Sequence, residues 1–185
     1  MALHRLRPDA WLLMMAALLG AGCSALPERD ASGVAFDPAA VAWASARGKN
    51  AVRGSAGVRP ASGEARTCAG ATVALLPDSP YTRDRIRRLY GGTERGSNDL
   101  APGAARQIEA PDPAFGRAVR TTTCDIHGRF AFSALPDGIW YVTTSVAWRT
   151  RGNDPASQVG TALMQRVVLG GAIAAQVQLG SPPAP

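Results

Sequence analysis

Between Thr121 and Thr150 apolar and polar residues alternate with period two, and Gly and Pro break the alternation at short intervals. Successive side chains of a strand point to opposite faces. The pattern therefore sets Phe130 and Phe132 on one face, across Ala131. It sets Trp140, Val142, Val146 and Trp148 opposite Tyr141, Thr143, Ser145 and Ala147. Asp125 to Gly128, and Pro136-Asp137-Gly138, carry the residue types of tight turns. The last run alternates too: Ile173, Ala175, Val177 and Leu179 fall on one side, Gln176 and Gln178 on the other. Short strands separated by turn signals form an antiparallel sandwich or barrel. The 20 glycines and 14 prolines favour turns over long helices.

Upstream, Asn50 to Arg59 reads as a weak first strand, and Thr67 to Pro77 as a stronger one. Ser79-Pro80 starts a helix, with Ser as N-cap and Pro at the first position. Ile86, Leu89 and Tyr90 share a helical face, and Gly91 ends it. Residues 91–118 have no clear period and read as a long surface loop. Residues 23–47 read as a tether holding one short helix, with Asp37 as N-cap, Pro38 at the first helical position and Gly48 as terminator. Val41 and Trp43 are the residues that would dock it. The last five residues, 181–185, are expected to be disordered.

The string from Asp125 to Val142 resembles the signature of carboxypeptidase regulatory-like domains. The matching residues are Asp125, Gly128, Phe130, Phe132, Leu135, Pro136, Gly138 and Tyr141, with Trp140 where an aromatic residue usually falls. The resemblance covers residues 121–142 well and 48–180 loosely. It implies an all-β fold: an antiparallel Greek-key β-sandwich of about seven strands, prealbumin-like or carbohydrate-binding-like, with one short helix inserted after an early strand. It also implies that the matching residues are scaffold. Elementary chemistry agrees: Gly128 and Gly138 suit tight turns, Phe130, Phe132 and Leu135 fill the space between sheets, and Asp125 can accept from turn amides.

The N-terminus has the three parts of an export signal: Arg5 and Arg7, the apolar run Ala10 to Leu19, and small residues leading to Cys23. The apolar run is about half the length needed to span a bilayer. Residues 19–23 resemble the lipobox of bacterial lipoproteins, with Gly20 where Leu is preferred. That resemblance implies cleavage after residue 22, a diacylglycerol on the Cys23 sulfur and an acylated new amine. Ser24 after the cysteine implies sorting to the outer membrane, facing the periplasm. An ordinary secretory signal is the other reading. With Cys23 lipidated, Cys68 and Cys124 remain as an even pair in an oxidising compartment, which favours a disulfide over two buried thiols.

Residue types bound the chemistry. Without residues 1–22 the chain keeps one histidine, His127, in the Asp125–Gly128 turn. A zinc site needs several His or Cys ligands, and a Ser-His-Asp triad needs a histidine held between its partners. A calcium role for Asp125 and Asp137 lacks an accompanying acidic cluster. The expectation is thus no enzyme, no metal and no cofactor. The net charge of +6 is mild, which suits anionic headgroups or lipopolysaccharide better than nucleic acid. Arg83, Arg85, Arg87 and Arg88, with Tyr81 and Tyr90, form a candidate contact surface whose arginines should mostly face solvent. The function expected is a non-enzymatic, membrane-anchored envelope module that contacts a protein partner. The alternatives are a glycan- or peptidoglycan-binding module using Tyr81, Tyr90 or Trp148, and a hydrolase using His127.

Overall fold

The structure, a computed structural model, describes residues 33–61, 63–150 and 158–180. Cys23, the export signal and the tail at 181–185 lie outside the described residues. The described chain is a β-sandwich of two sheets. Its strands are β1 (Asn50–Val58), β2 (Arg66–Thr67), β3 (Thr72–Pro77), β4 (Arg95–Asp99), β5 (Arg120–Thr123), β6 (Arg129–Leu135), β7 (Gly138–Arg149), β8 (Gln158–Leu169) and β9 (Ala174–Gly180). One α-helix, α1 (Pro80–Tyr90), and two 3-10 turns, η1 (Ala39–Ser45) and η2 (Phe115–Ala118), complete it. Nine described strands replace the seven expected, because the edges carry short strands that have no hydrophobic alternation of their own.

The large sheet has the order β4-β8-β7-β3-β5, with every neighbour antiparallel. The small sheet is organised on β1, which pairs antiparallel with β6 and β2 and parallel with β9. The alternation in β6, β7 and β9 does what period two requires. Val52, Ala56, Phe130, Phe132, Leu135, Val177 and Leu179 of the small sheet meet Val73, Leu75, Trp140, Val142, Val146 and Leu163 of the large one. Each large side chain removed from water contributes about 1.5–3 kcal/mol before chain entropy is counted.

The helix α1 follows its sequence signals closely. Ser79 Oγ accepts from Thr82 N at 3.1 Å, Pro80 occupies the first turn, and Gly91 ends the helix at φ +79° with its N–H on Arg87 O. The helix lies on the outer face of the large sheet, where Ile86, Tyr141 and Met164 form a second buried cluster with Leu76 and Tyr90 beside it. That explains why β7 buries both of its faces: Tyr141, opposite Trp140 in the alternation, is as inaccessible as Trp140.

Two segments depart from the sequence reading. Residues 91–118 contain β4, which pairs with β8, and η2, so the segment is not a continuous loop. Strand β4 is held by its backbone ladder and by Asn98, whose side chain brackets Arg106 through Nδ2 to O (2.9 Å) and Arg106 N to Oδ1 (2.8 Å). Neither interaction leaves a hydrophobic period to detect. In the tether, the expected helix forms as a 3-10 turn, η1, with Pro38 at its start. Val41 and Ala44 are buried, and Trp43 meets Trp140 edge-on at a centroid distance of 4.9 Å. Gly138, at φ +146°, has to be glycine because a β-carbon there would collide with the Trp43 ring.

Cys68 and Cys124 form a disulfide, with α-carbons 5.8 Å apart, and both residues are buried in the core. The bond ties the approach to β3 to the end of β5 across a separation of 56 residues. In the chain-entropy model, closing a loop of that length stabilises by about 4 kcal/mol. The double variant Cys68→Ala, Cys124→Ala is expected to lose about 2–5 kcal/mol of unfolding free energy in urea; an unchanged transition midpoint would contradict a structural role for the bond.

Candidate functional site

The two sheets differ in what covers their outer faces. Helix α1 shields the large sheet, whereas on the small sheet Arg53, Ala131, Ser133 and Gln176 are exposed. On this face β1 presents Arg53 and Ser55, β6 presents Arg129 and Ala131, and β9 presents Gln176 and Gln178. Their registers align: Ser55 is opposite both Arg129 and Gln178, and Arg53 is opposite both Ala131 and Gln176. The small side chains of Ser55 and Ala131 leave a floor, and the long polar ones rise round it. The result is a shallow, open recess of about 310 Å³, lined by Gly54, Ser55, Arg129, Gln176, Val177 and Gln178. That volume lies at the lower end of ligand sites, about 300–1,000 Å³.

One side-chain nitrogen of the lining residues is buried without a partner among the described residues. Ser55 Oγ bonds Gln178 Oε1 at 2.6 Å, which fixes the amide. Gln178 Nε2 is buried and has no hydrogen-bond partner among the described residues. An unmade bond of this kind costs about 1–3 kcal/mol. Flipping the amide only exchanges which end Ser55 satisfies. Arg129 Nε donates to Asp125 Oδ2 at 3.1 Å, which orients the guanidinium, and Arg53 makes no ion pair among the described residues. As diagonal neighbours across an antiparallel pair, the two residues stand roughly 7–8 Å apart, with their β-carbons somewhat closer.

Asp125 is the hinge of the neighbouring turn. Its Oδ1 accepts from His127 N (2.8 Å) and Arg129 N (2.9 Å), and these bonds, the Arg129 amide foremost, hold its carboxyl below the usual carboxylate range. Gly128 sits at φ +73° against Thr67. Phe130, Phe132, Leu135 and Tyr141 are buried, and Pro136 leads into Gly138 at the next turn. The motif residues are thus framework, and His127 stands exposed beside them. Asp137 accepts from Asn50 Nδ2 at 2.8 Å. Asn50, buried, also donates to Leu135 O and accepts from Ile173 N, so one amide ties together three segments. Among the described residues no three His, Cys, Asp or Glu side chains converge as a metal cluster would.

The arginine-rich helix face is built differently from the expectation. Arg88 makes two bonds to Glu109 (2.9 and 2.8 Å) and pairs with Asp84. The Glu109 contact foremost raises the Arg88 pKa, and Arg88 in turn lowers that of Glu109. Arg85 bonds the Glu109 carbonyl at 3.0 Å and lies over the Tyr81 ring. Arg83 pairs with Asp78. Of the four arginines, Arg87 remains exposed without an ion pair among the described residues. The aromatic platform is likewise absorbed. Tyr81 is buried, packs edge-on against Phe36 and Phe115, and its hydroxyl accepts from Asp112 N. Tyr90 and Trp148 are half-buried against the two clusters. Sequence reasoning placed Gln176 and Gln178 on the polar side of β9 but gave no reason to join them to Arg53, Ser55 and Arg129, because that needs the parallel pairing of β1 with β9.

By sequence, no family model and no curated protein matches this chain. By structure, it is similar to a solved Pseudomonas aeruginosa protein provisionally described as carbohydrate-binding, at a TM-score of 0.65 and 23% identity. The match covers 80% of this chain and 99% of that one. At this identity the likeness shows the fold alone, a β-sandwich.

Tyr141 gives the protein a pH dependence at the alkaline end. Burial first, then the Asp78 carboxylate that its hydroxyl bonds at 3.1 Å, push its pKa up from 10 to about 12. The unfolded chain therefore loses this proton near pH 10 while the folded chain keeps it. The contribution is full below pH 10 and is lost as pH rises towards 12. The thermal midpoint is expected to fall between pH 10 and 12, and to fall less in Tyr141→Phe; parallel profiles for the two proteins would contradict this role.

Proposed function

We propose that this chain is a non-catalytic envelope lipoprotein, anchored through Cys23, whose β-sandwich binds a polysaccharide on the outer face of the small sheet. The observation that carries the reading is the recess around Ser55, lined by the Arg129 guanidinium and the Gln176 and Gln178 side chains, with Arg53 beside it on the same face of the sheet. Sugar hydroxyls both donate and accept, and side-chain amides offer both complements in one plane. The surface is nearly flat and sits on paired strands, which suits a polymer lying across it better than a small molecule buried in a cleft. The fold shared with the provisionally carbohydrate-binding Pseudomonas protein is compatible with this reading. It replaces the protein-partner expectation as the preferred one, and it moves the glycan surface away from Tyr81 and Tyr90. The anchor supports it in a second way. Two or more acyl chains hold a protein stably at a membrane, so a weak site would work by retention at the envelope.

Two measurements test this. Cells grown with labelled palmitate should label the chain, and Cys23→Ser should abolish the label; an unlabelled wild-type chain would remove the anchor. In affinity electrophoresis through a panel of soluble polysaccharides, with purified peptidoglycan in a parallel pull-down, the full-length chain should be retarded by at least one. Gln178→Ala should weaken that retention about tenfold, in line with the loss of one or two buried hydrogen bonds. No retention by any polysaccharide, with a specific protein crosslinked to the chain instead, would restore the protein-partner reading.

A further inference from the structure

Charge on the small-sheet face narrows the ligand. Arg53 and Arg129 are diagonal neighbours on adjacent strands, with Asp125 the carboxylate paired to Arg129 and no ion-pair partner for Arg53 among the described residues. Asp125 balances one of these two cations, so the face keeps an uncompensated positive charge at Arg53 among the described residues. On α1, Arg83, Arg85 and Arg88 are matched by Asp78, Asp84 or Glu109, and Arg87 has no ion pair among the described residues. The orientation of Arg129 matters as well. Its Nε is engaged by Asp125, which leaves the two terminal nitrogens of the fork for a second planar acceptor. A guanidinium presented in that way binds a carboxylate through two parallel hydrogen bonds.

Resting on the polysaccharide reading above, we infer that the ligand is an acidic polysaccharide, one whose sugar units carry carboxylates. Arg129 and Arg53 take the carboxylates of the polymer, and Ser55, Gln176 and Gln178 take the sugar hydroxyls beside them. The Gln176 amide oxygen and the Ser55 hydroxyl can accept hydrogen bonds, which sugar hydroxyls donate and a bare row of ionised carboxylates cannot.

The test is titration calorimetry of the full-length chain with four polymers: polygalacturonate, the same polymer with its carboxylates methyl-esterified, dextran and poly-L-glutamate. Binding to polygalacturonate is expected, weakening with added salt, and weakening at least tenfold in Arg129→Gln and in Arg53→Gln. Arg53 is exposed and unpaired among the described residues, so its variant keeps the readout if Arg129→Gln disturbs the Asp125 turn. The esterified polymer and dextran should bind at least tenfold more weakly. Equal binding of the esterified polymer would overturn the acidic-ligand inference and leave the polysaccharide reading standing. Poly-L-glutamate bound as tightly as polygalacturonate would overturn it in favour of an acidic protein. No binding of any glycan would remove the polysaccharide reading together with the inference.

Discussion

The close approach of strands around β1 is the constraint on which the small sheet depends. Strand β1 accepts β6 and β2 on one side and β9 on the other, and at its middle the backbone has no room for a side chain. A β-carbon at Gly54 would fall 2.7 Å from Phe130 Cζ and against the Val177 carbonyl. Glycine therefore lets the Phe130 ring lie directly on the strand, which costs roughly 0.5–1 kcal/mol in chain entropy relative to alanine and is offset by burial of the ring. The neighbouring residue, Ser55, points the other way. The same short stretch thus seals the core with its inner face and forms the floor of the recess with its outer face.

From that arrangement follows the asymmetry of the molecule. The large sheet is covered by the small sheet within and over part of its outer face by α1, and several of its outer charged groups are matched locally, while Gln165 Oε1 and Trp140 Nε1 are buried without a partner among the described residues. Tyr141, Asp78 and Arg83 form one such set; Arg85, Arg88 and Glu109 form another. The small sheet is closed only within. Its outer residues are polar, regularly placed on rigid paired strands, and incompletely satisfied. Sites built on strands hold their geometry better than sites on loops, so the recess is pre-organised.

Much of the fold was legible because β6 and β9 bury one face each and so carry an uncorrupted alternation, and because β7, though covered on both faces in its middle, still alternates in residue type. The helix was legible because Ser79, Pro80 and Gly91 each have a local reason to be where they are. The disulfide followed from counting cysteines against a compartment. What could not be read has equally local causes. Strand β1 looks weak because Gly54, Ala56 and Gly57 lower its propensity, yet it is central because small residues are what its neighbours require. Strand β4 is held by backbone bonds that leave no trace in side-chain pattern. The arginine run on α1 looked free because its partners Asp78 and Glu109 come from outside the helix. The proposed binding face was missed because its residues lie on three strands, of which β1 and β9 are some 120 residues apart in sequence and meet in parallel.

The central claim is that ligand recognition belongs to the open face of the small sheet and not to the helix side. Amide and side-chain NMR shifts of the isotopically labelled full-length chain, followed as polygalacturonate is added, address it most directly. The account predicts the largest changes at Arg53, Ser55, Arg129, Gln176 and the Gln178 side-chain amide, with Arg87 and the rest of α1 unmoved. Changes concentrated on α1 and around Glu109, with the small sheet silent, would contradict it.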